Sequence, residues 1–205
     1  MSKLLIPNGY QLINEVFPEM GFPTKDGETY GIRTEEFDAI ILKCIVPEQV
    51  AMNFDNPQVI IDNWHNDMPD NYGIIEVNNG LTKNGNKYVY FIMKHSLGTE
   101  DNPVFGNGYL MNINIKLGND IYFINSSFTE RGITGARDNT IYMMFLQKYP
   151  DLEDPYDGWA SDPYDSTYKE GFLMNLSEDE IYDDLFPNHP LSKAREFVEF
   201  ILDNN

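Results

Sequence analysis

The sequence predicts an α+β domain, an antiparallel sheet of about five to six strands flanked by helices. Two observations lead there. Four strand-like runs follow one another over residues 72–128, with links too short for parallel crossovers, so they must form hairpins or a meander. Helical spacing of apolar residues is confined to an early stretch near 57–68 and to late ones beyond 134. The chain has 205 residues, 41% of them hydrophobic and 14% aromatic, which is enough for one domain with a real core.

Taken in order, residues 1–27 are rich in Pro and Gly and read as an irregular lead-in. "ETYGIR" (28–33) is a short strand. "FDAIILKCIV" (37–46) is β-branched, nearly all apolar and ended by Pro47, as a central strand should be. A helix follows, with Pro57 in its first turn, Asp55 or Asn56 as cap, and Ile60, Ile61, Trp64 and Met68 on one stripe. "YGIIEV" (72–77) and "KYVYFIMKHS" (87–96) flank a turn containing Asn84-Gly85, a hairpin dipeptide. The stretch 96–108 is a longer exposed loop. "YLMNINIKL" (109–117) alternates, with Met111, Ile113, Ile115 and Leu117 on one face and Asn112, Asn114 and Lys116 on the other, so a half-buried strand is expected. A Gly118-Asn119-Asp120 turn leads to "IYFINSSF" (121–128).

A helix starts near Thr134, its expected cap, with Asp138 suited to the helix dipole and Ile141, Met144, Phe145 and Tyr149 along one side. Residues 150–176 form an acidic, aromatic loop, and 177–205 a helical extension. There Ser177 and Glu180 read as a capping box over Ile181 and Leu185, and Leu191, Ala194, Val198 and Ile201 mark a last helix. The whole chain reads as a single domain.

The order strand, helix, antiparallel strands including "YLMNINIKLGNDIYFINSSF", then the helix after "GITGARD" resembles the PsbP-like and DcrB-like α/β/α sandwiches over residues 37–149. That resemblance implies an accessory, binding or chaperone protein rather than an enzyme. The acidic stretch and the two last helices would be extensions the family does not require.

The formal net charge of −19 argues against phosphate backbones and anionic membrane surfaces and in favour of a basic protein partner. More than half of the excess lies between residues 150 and 190, where Lys169 is the one base. Cys44, the single cysteine, sits in an apolar run and reads as a buried small hydrophobe. A lone cysteine allows no internal disulfide and suits a reducing compartment. The N-terminus lacks the long apolar core of a signal peptide, and no stretch is long enough to span a bilayer, so a cytoplasmic location is expected.

Catalytic constellations are not evident. His65, His95 and His189 stand at no metal-ligand spacing, Gly-x-Ser-x-Gly is absent, and "GNGYLM" at Gly106 lacks the third glycine of a dinucleotide fingerprint. Neither an enzyme activity nor a cofactor or metal is expected. "RGITGARD" is one candidate anion site, with Arg131 and Arg137 beside a helix start. The alternative is that both arginines pair with nearby acids.

The remaining candidate is "EDPYDGWASDPYDSTYKEG" (153–171), in which Asp-Pro-Tyr-Asp occurs twice. Its carboxylates Asp154, Asp157, Asp162 and Asp165 would suffice in number for calcium but lack the EF-hand rhythm. Two Asp-Pro turns in a solvated loop are the plain alternative. Tyr156, Trp159, Tyr164 and Tyr168 add aromatic anchors suited to protein docking. The resulting expectation is a non-enzymatic module that binds a basic partner, in its most concrete form a bacterial immunity protein that neutralises a toxin. The alternatives are a chaperone or adaptor for secreted cargo and a carboxylate- or metal-dependent enzyme.

Overall fold

The computed structural model describes residues 4–13, 21–98 and 106–205. Seven antiparallel strands form one sheet: β1 (Gln11–Leu12), β2 (Lys25–Arg33), β3 (Phe37–Val46), β4 (Tyr72–Leu81), β5 (Lys87–Ser96), β6 (Asn107–Leu117) and β7 (Asp120–Glu130). Their order across the sheet is β1-β2-β3-β7-β6-β5-β4. Among the described residues three α-helices accompany it: α1 (Gln58–Asp67), α2 (Ala136–Lys148) and α3 (Pro190–Asn204). The α+β class is as expected, but the described residues form seven strands rather than five to six. The extra one, β1, is two residues inside the Pro- and Gly-rich lead-in, too short for any periodicity to reveal. Of the expected loop over 96–108, residues 99–105 lie outside the described residues, and Asn107 and Gly108 already belong to β6.

Both faces of the sheet are covered, and this explains the sequence patterns. On one face α3 lays Leu191, Ala194, Phe197, Val198 and Ile201 against Ile41, Met111, Ile113, Ile124 and Phe128. On the other, α1 and the residues beside it cover Val89, Phe91 and Met93, and a smaller cluster forms round Cys44, Val46 and Ile121. Strand β5 therefore buries successive residues rather than alternate ones, which is why it reads as a continuous apolar run. Asn114, expected to face water, is fully buried, and its side-chain oxygen accepts from the Met52 N–H at 2.6 Å. Burial also pushes the Cys44 thiol up to about 11, so it is not a nucleophile at neutral pH.

Helix boundaries are set by chemistry a residue or two from where the sequence suggests it. Before α1 the side-chain acceptor is Asn53, which takes the N–H groups of Asp55 and Asn56, while Asp55 itself binds Lys87. Helix α2 starts after Gly135, which takes a left-handed conformation (φ 69°) with no side-chain cap, in place of Thr134. Its buried stripe is Arg137, Ile141 and Phe145, and Met144 is exposed.

The expected helix at 177–185 is absent. Two 3-10 turns, Leu176–Glu178 and Glu180–Tyr182, stand in its place, and the capping box is Asn175 with Glu178. Ile181 and Leu185 are left exposed instead of lying beneath a helix. Glu178 is fully buried, and a continuous helix would have to place it elsewhere.

Phe197 is 1% exposed and meets Phe128 and Tyr10 edge-on at centroid distances of 6.1 and 5.3 Å. Phe197→Ala should cost about 3–5 kcal/mol, measured as a lowered denaturant midpoint with an unchanged slope.

Candidate functional site

The doubled tetrapeptide does not make one cluster. Each copy forms an Asp-Pro turn in which the Asp carboxylate accepts the N–H two residues on: Asp154 from Tyr156 and Asp162 from Tyr164. The first copy lies against α2. Tyr156 stacks on Tyr142 at 5.3 Å, Trp159 packs edge-on to the same ring at 4.9 Å and against Phe145, and the Tyr142 hydroxyl donates to the Pro155 carbonyl. The second copy lies against α1 and β4. Asp162 is buried and meets His65 Nε2 at 3.0 Å, and Tyr168 stacks on the same imidazole at 4.2 Å.

Tyr164 reaches the outer edge of the sheet. Its hydroxyl accepts from the Val77 N–H at 2.5 Å and donates to the Val77 carbonyl at 3.2 Å. Eight residues later the Phe172 N–H donates to the Tyr72 carbonyl at 2.7 Å. There a Cβ on Gly73 would stand 1.8 Å from the Phe172 carbonyl oxygen, so only glycine allows this approach. The acidic stretch is thus a strap sealing the open side of β4. All four of its expected aromatics, Tyr156, Trp159, Tyr164 and Tyr168, touch the domain, although Tyr156 remains 64% and Tyr164 41% exposed. Asp154, Asp157 and Asp165 face solvent, and Asp165 is held below the usual carboxylate range by the hydroxyl and N–H of Thr167. Among the described residues, no three His, Cys, Asp or Glu side chains are arranged to hold a metal ion.

The two arginines of the candidate anion site use their donors on the protein. Arg137 is 1% exposed and binds the Ser177 and Asp179 carbonyls, the Asp183 carboxylate and the Ser192 hydroxyl. Arg131 binds Asp38 at 3.1 Å.

A buried polar seam joins the end of the sheet to residues 175–195. Lys94, on β5, and Glu178 are fully buried and paired at 2.8 Å, with the Tyr109 hydroxyl donating to the second carboxylate oxygen at 3.1 Å and Phe172 under the ammonium at 4.0 Å. Burial and the Glu178 charge raise the Tyr109 phenol well above its ordinary value, so it stays a donor. Ser177 Oγ donates to Asp138, whose other oxygen accepts from Asn107. Glu130 accepts from the Asn107 and Gly135 N–H groups and faces His189 Nε2 at 3.4 Å, while His189 Nδ1 caps α3 by accepting from Leu191. For Glu130, burial opposes ionisation, but His189 and the two backbone donors outweigh it and hold the carboxyl below its usual value. These groups lie on unrelated elements at no motif spacing, so the sequence does not reveal that they form one network. No buried polar side-chain atom among the described residues lacks a partner, so the seam is a satisfied structural network.

Two open surfaces flank the seam. A groove of about 740 Å³ runs along α3, where seven carboxylates face one guanidinium, Arg195. Arg195 is held in its charged form, against the effect of burial, by Glu76 and Asp183. Lys193 and Lys83 engage Glu196 and Asp203 at the margin. Glu180, Asp184 and Glu199 have no ion-pair partner among the described residues. Beside it lies a cleft of about 560 Å³, with Pro187 belonging to both. Its walls are largely apolar, from Ile133, Ala136, Leu185, Phe186, Pro187 and Pro190. No protein-family model matches the chain, and no curated protein is found similar to it. No helix among the described residues is long and apolar enough to cross a membrane.

Lys94→Met strips Glu178 of its counter-ion in a dry setting. The expected loss is about 3–5 kcal/mol, read by chemical denaturation at pH 7. Because Glu130 is more acidic folded than unfolded, its contribution is complete above the unfolded carboxylate range and lost as pH falls through the lower folded value. Thermal melts between about pH 6 and pH 3 should therefore show a steeper acid loss for wild type than for Glu130→Gln, which starts less stable at neutral pH.

Proposed function

We propose that this chain is a non-enzymatic binding protein that captures a basic protein partner, in its most concrete form a bacterial immunity protein acting in the cytoplasm on a cognate toxin. The observation that carries the reading is the groove along α3, where carboxylates outnumber the one lining guanidinium and three of them lack an ion-pair partner. In a shallow groove with low-dielectric walls such charges reinforce one another and steer a cationic surface toward them. The exposed strap carboxylates Asp154, Asp157 and Asp165 extend the negative field, with Tyr156 and Tyr164 as exposed rings among them. A sandwich of the PsbP-like or DcrB-like type belongs to the same proposal, because helices lie on both faces of an antiparallel sheet.

A second reading, an adaptor for secreted cargo, is favoured by the apolar cleft round Ile133 and Leu185. Salt separates the two, since capture by carboxylates weakens steeply with ionic strength and capture by apolar surface does not.

The immobilised chain should retain from its host's extract a protein of high isoelectric point that elutes as salt is raised from about 0.1 to 0.5 M. A variant carrying Glu180→Gln, Asp184→Asn and Glu199→Gln should lose it. That protein, produced alone, should arrest growth, and co-production of the chain should restore it. Retention that ignores both salt and the triple substitution would sink the reading.

A further inference from the structure

Three of the exposed large apolar residues line adjoining surfaces. Ile133 is 88% exposed and Leu185 57%, and both line the same cleft, while Ile181, 70% exposed, lines the neighbouring acidic groove. Ile133 belongs to the turn before α2, Ile181 to the second 3-10 turn, and Leu185 to the segment between that turn and α3. These are distant parts of the sequence, so their convergence is a property of the fold. The backbone beneath them is rigid, held by Arg137 through the Ser177 and Asp179 carbonyls and by Arg195 through the Glu178 carbonyl.

The charges round the cleft divide into spent and available. Arg131 is bound to Asp38, Arg137 to Asp183, and Glu130 to His189 and two backbone N–H groups. What remains is of one sign. Glu35 and Glu36 are exposed on the cleft wall without an ion-pair partner among the described residues, and Glu180 and Asp184 stand in the adjoining groove. Apolar side chains bordered by free carboxylates are complementary to a basic surface that carries an apolar side chain.

We infer that the cleft between the turn before α2 and residues 185–190 is the anchor site of the basic partner, which inserts an apolar side chain flanked by Lys or Arg. This rests on the reading that the chain binds a basic protein. It adds that an apolar anchor, rather than charge alone, holds the complex. Area buried in the cleft slows dissociation, while the carboxylate rim sets the rate of encounter.

Three synthetic helical peptides of about four turns test this: one with Leu on one face and Lys on the other, one with Ser replacing Leu at equal charge, and one with Glu replacing Lys. Binding is measured by fluorescence anisotropy to the wild-type chain and to an Ile133→Ser/Leu185→Ser variant. Both replaced side chains are exposed, so the variant's melting temperature should match wild type. The Leu/Lys peptide should bind at least about tenfold more tightly than the Ser/Lys peptide, and the double substitution should remove that advantage while leaving Ser/Lys binding unchanged. Equal binding of Leu/Lys and Ser/Lys, insensitive to the substitution, would overturn the anchor and leave the carboxylate reading standing. Binding of neither Lys peptide would overturn both. Binding of the Leu/Glu peptide as tight as that of Leu/Lys would show an anchor with no preference for basic partners and overturn the inference from the other side.

Discussion

The carboxylate of Glu178 has no access to water, and much of the molecule is arranged round that fact. An ionised group in such a place is tolerated only when it is paired and hydrogen-bonded. Here Lys94 from β5, Tyr109 from β6 and the N–H of Asn175 answer it. These partners come from two strands and a turn, so residues 175–178 have one position in which the charge is satisfied. Fixing them fixes the carbonyls that Arg137 and Arg195 grasp, and through those arginines the start of α3 and residue Asp183. The arrangement costs more than an apolar core would, and what it provides is register, since a slip of one residue would strand a charge.

That constraint also explains where the sequence is silent. The region offers two overlapping cap signals, Asn175 with Glu178 and Ser177 with Glu180, and each satisfies the local rule. The choice depends on whether Glu178 can be buried, hence on Lys94 more than eighty residues away. The strands were legible because two-sided burial leaves long apolar runs in β3 and β5, and α3 because its apolar positions keep helical spacing. Strand β1 has too few residues to carry a pattern, and Arg137 heads the buried stripe of α2 although its charge argues for solvent. In the acidic stretch the Asp-Pro turns were readable, being local, while the destinations of the rings on Tyr142, His65 and Val77 were not.

Charge shows the same division between what composition reveals and what folding conceals. The excess of acids is plain from the residue list, but several are used internally: Asp162 by His65, Asp183 by two arginines and Glu178 by Lys94. The negative surface left over is shared between the doubled tetrapeptide, where Asp154, Asp157 and Asp165 face solvent and whose two copies attach to different helices, and other parts of the molecule. Along α3 it includes Glu180, Asp184 and Glu199, and beside the apolar cleft Glu35 and Glu36. A count of carboxylates therefore gives the sign of the field and not its distribution.

The strap across β4 has one more consequence. Unpaired strand edges are templates, and in this sheet the outward carbonyl of Tyr72 and both backbone groups of Val77 are occupied by residues 164 and 172 of the same chain. A protease that nicked the tether between Pro155 and Tyr164 would leave the core intact yet loosen this seal. The damaged molecules would then present raw hydrogen-bonding rows to one another and grow by strand addition. Colloidal behaviour, and not only recognition, is thus written into the most highly charged part of the chain.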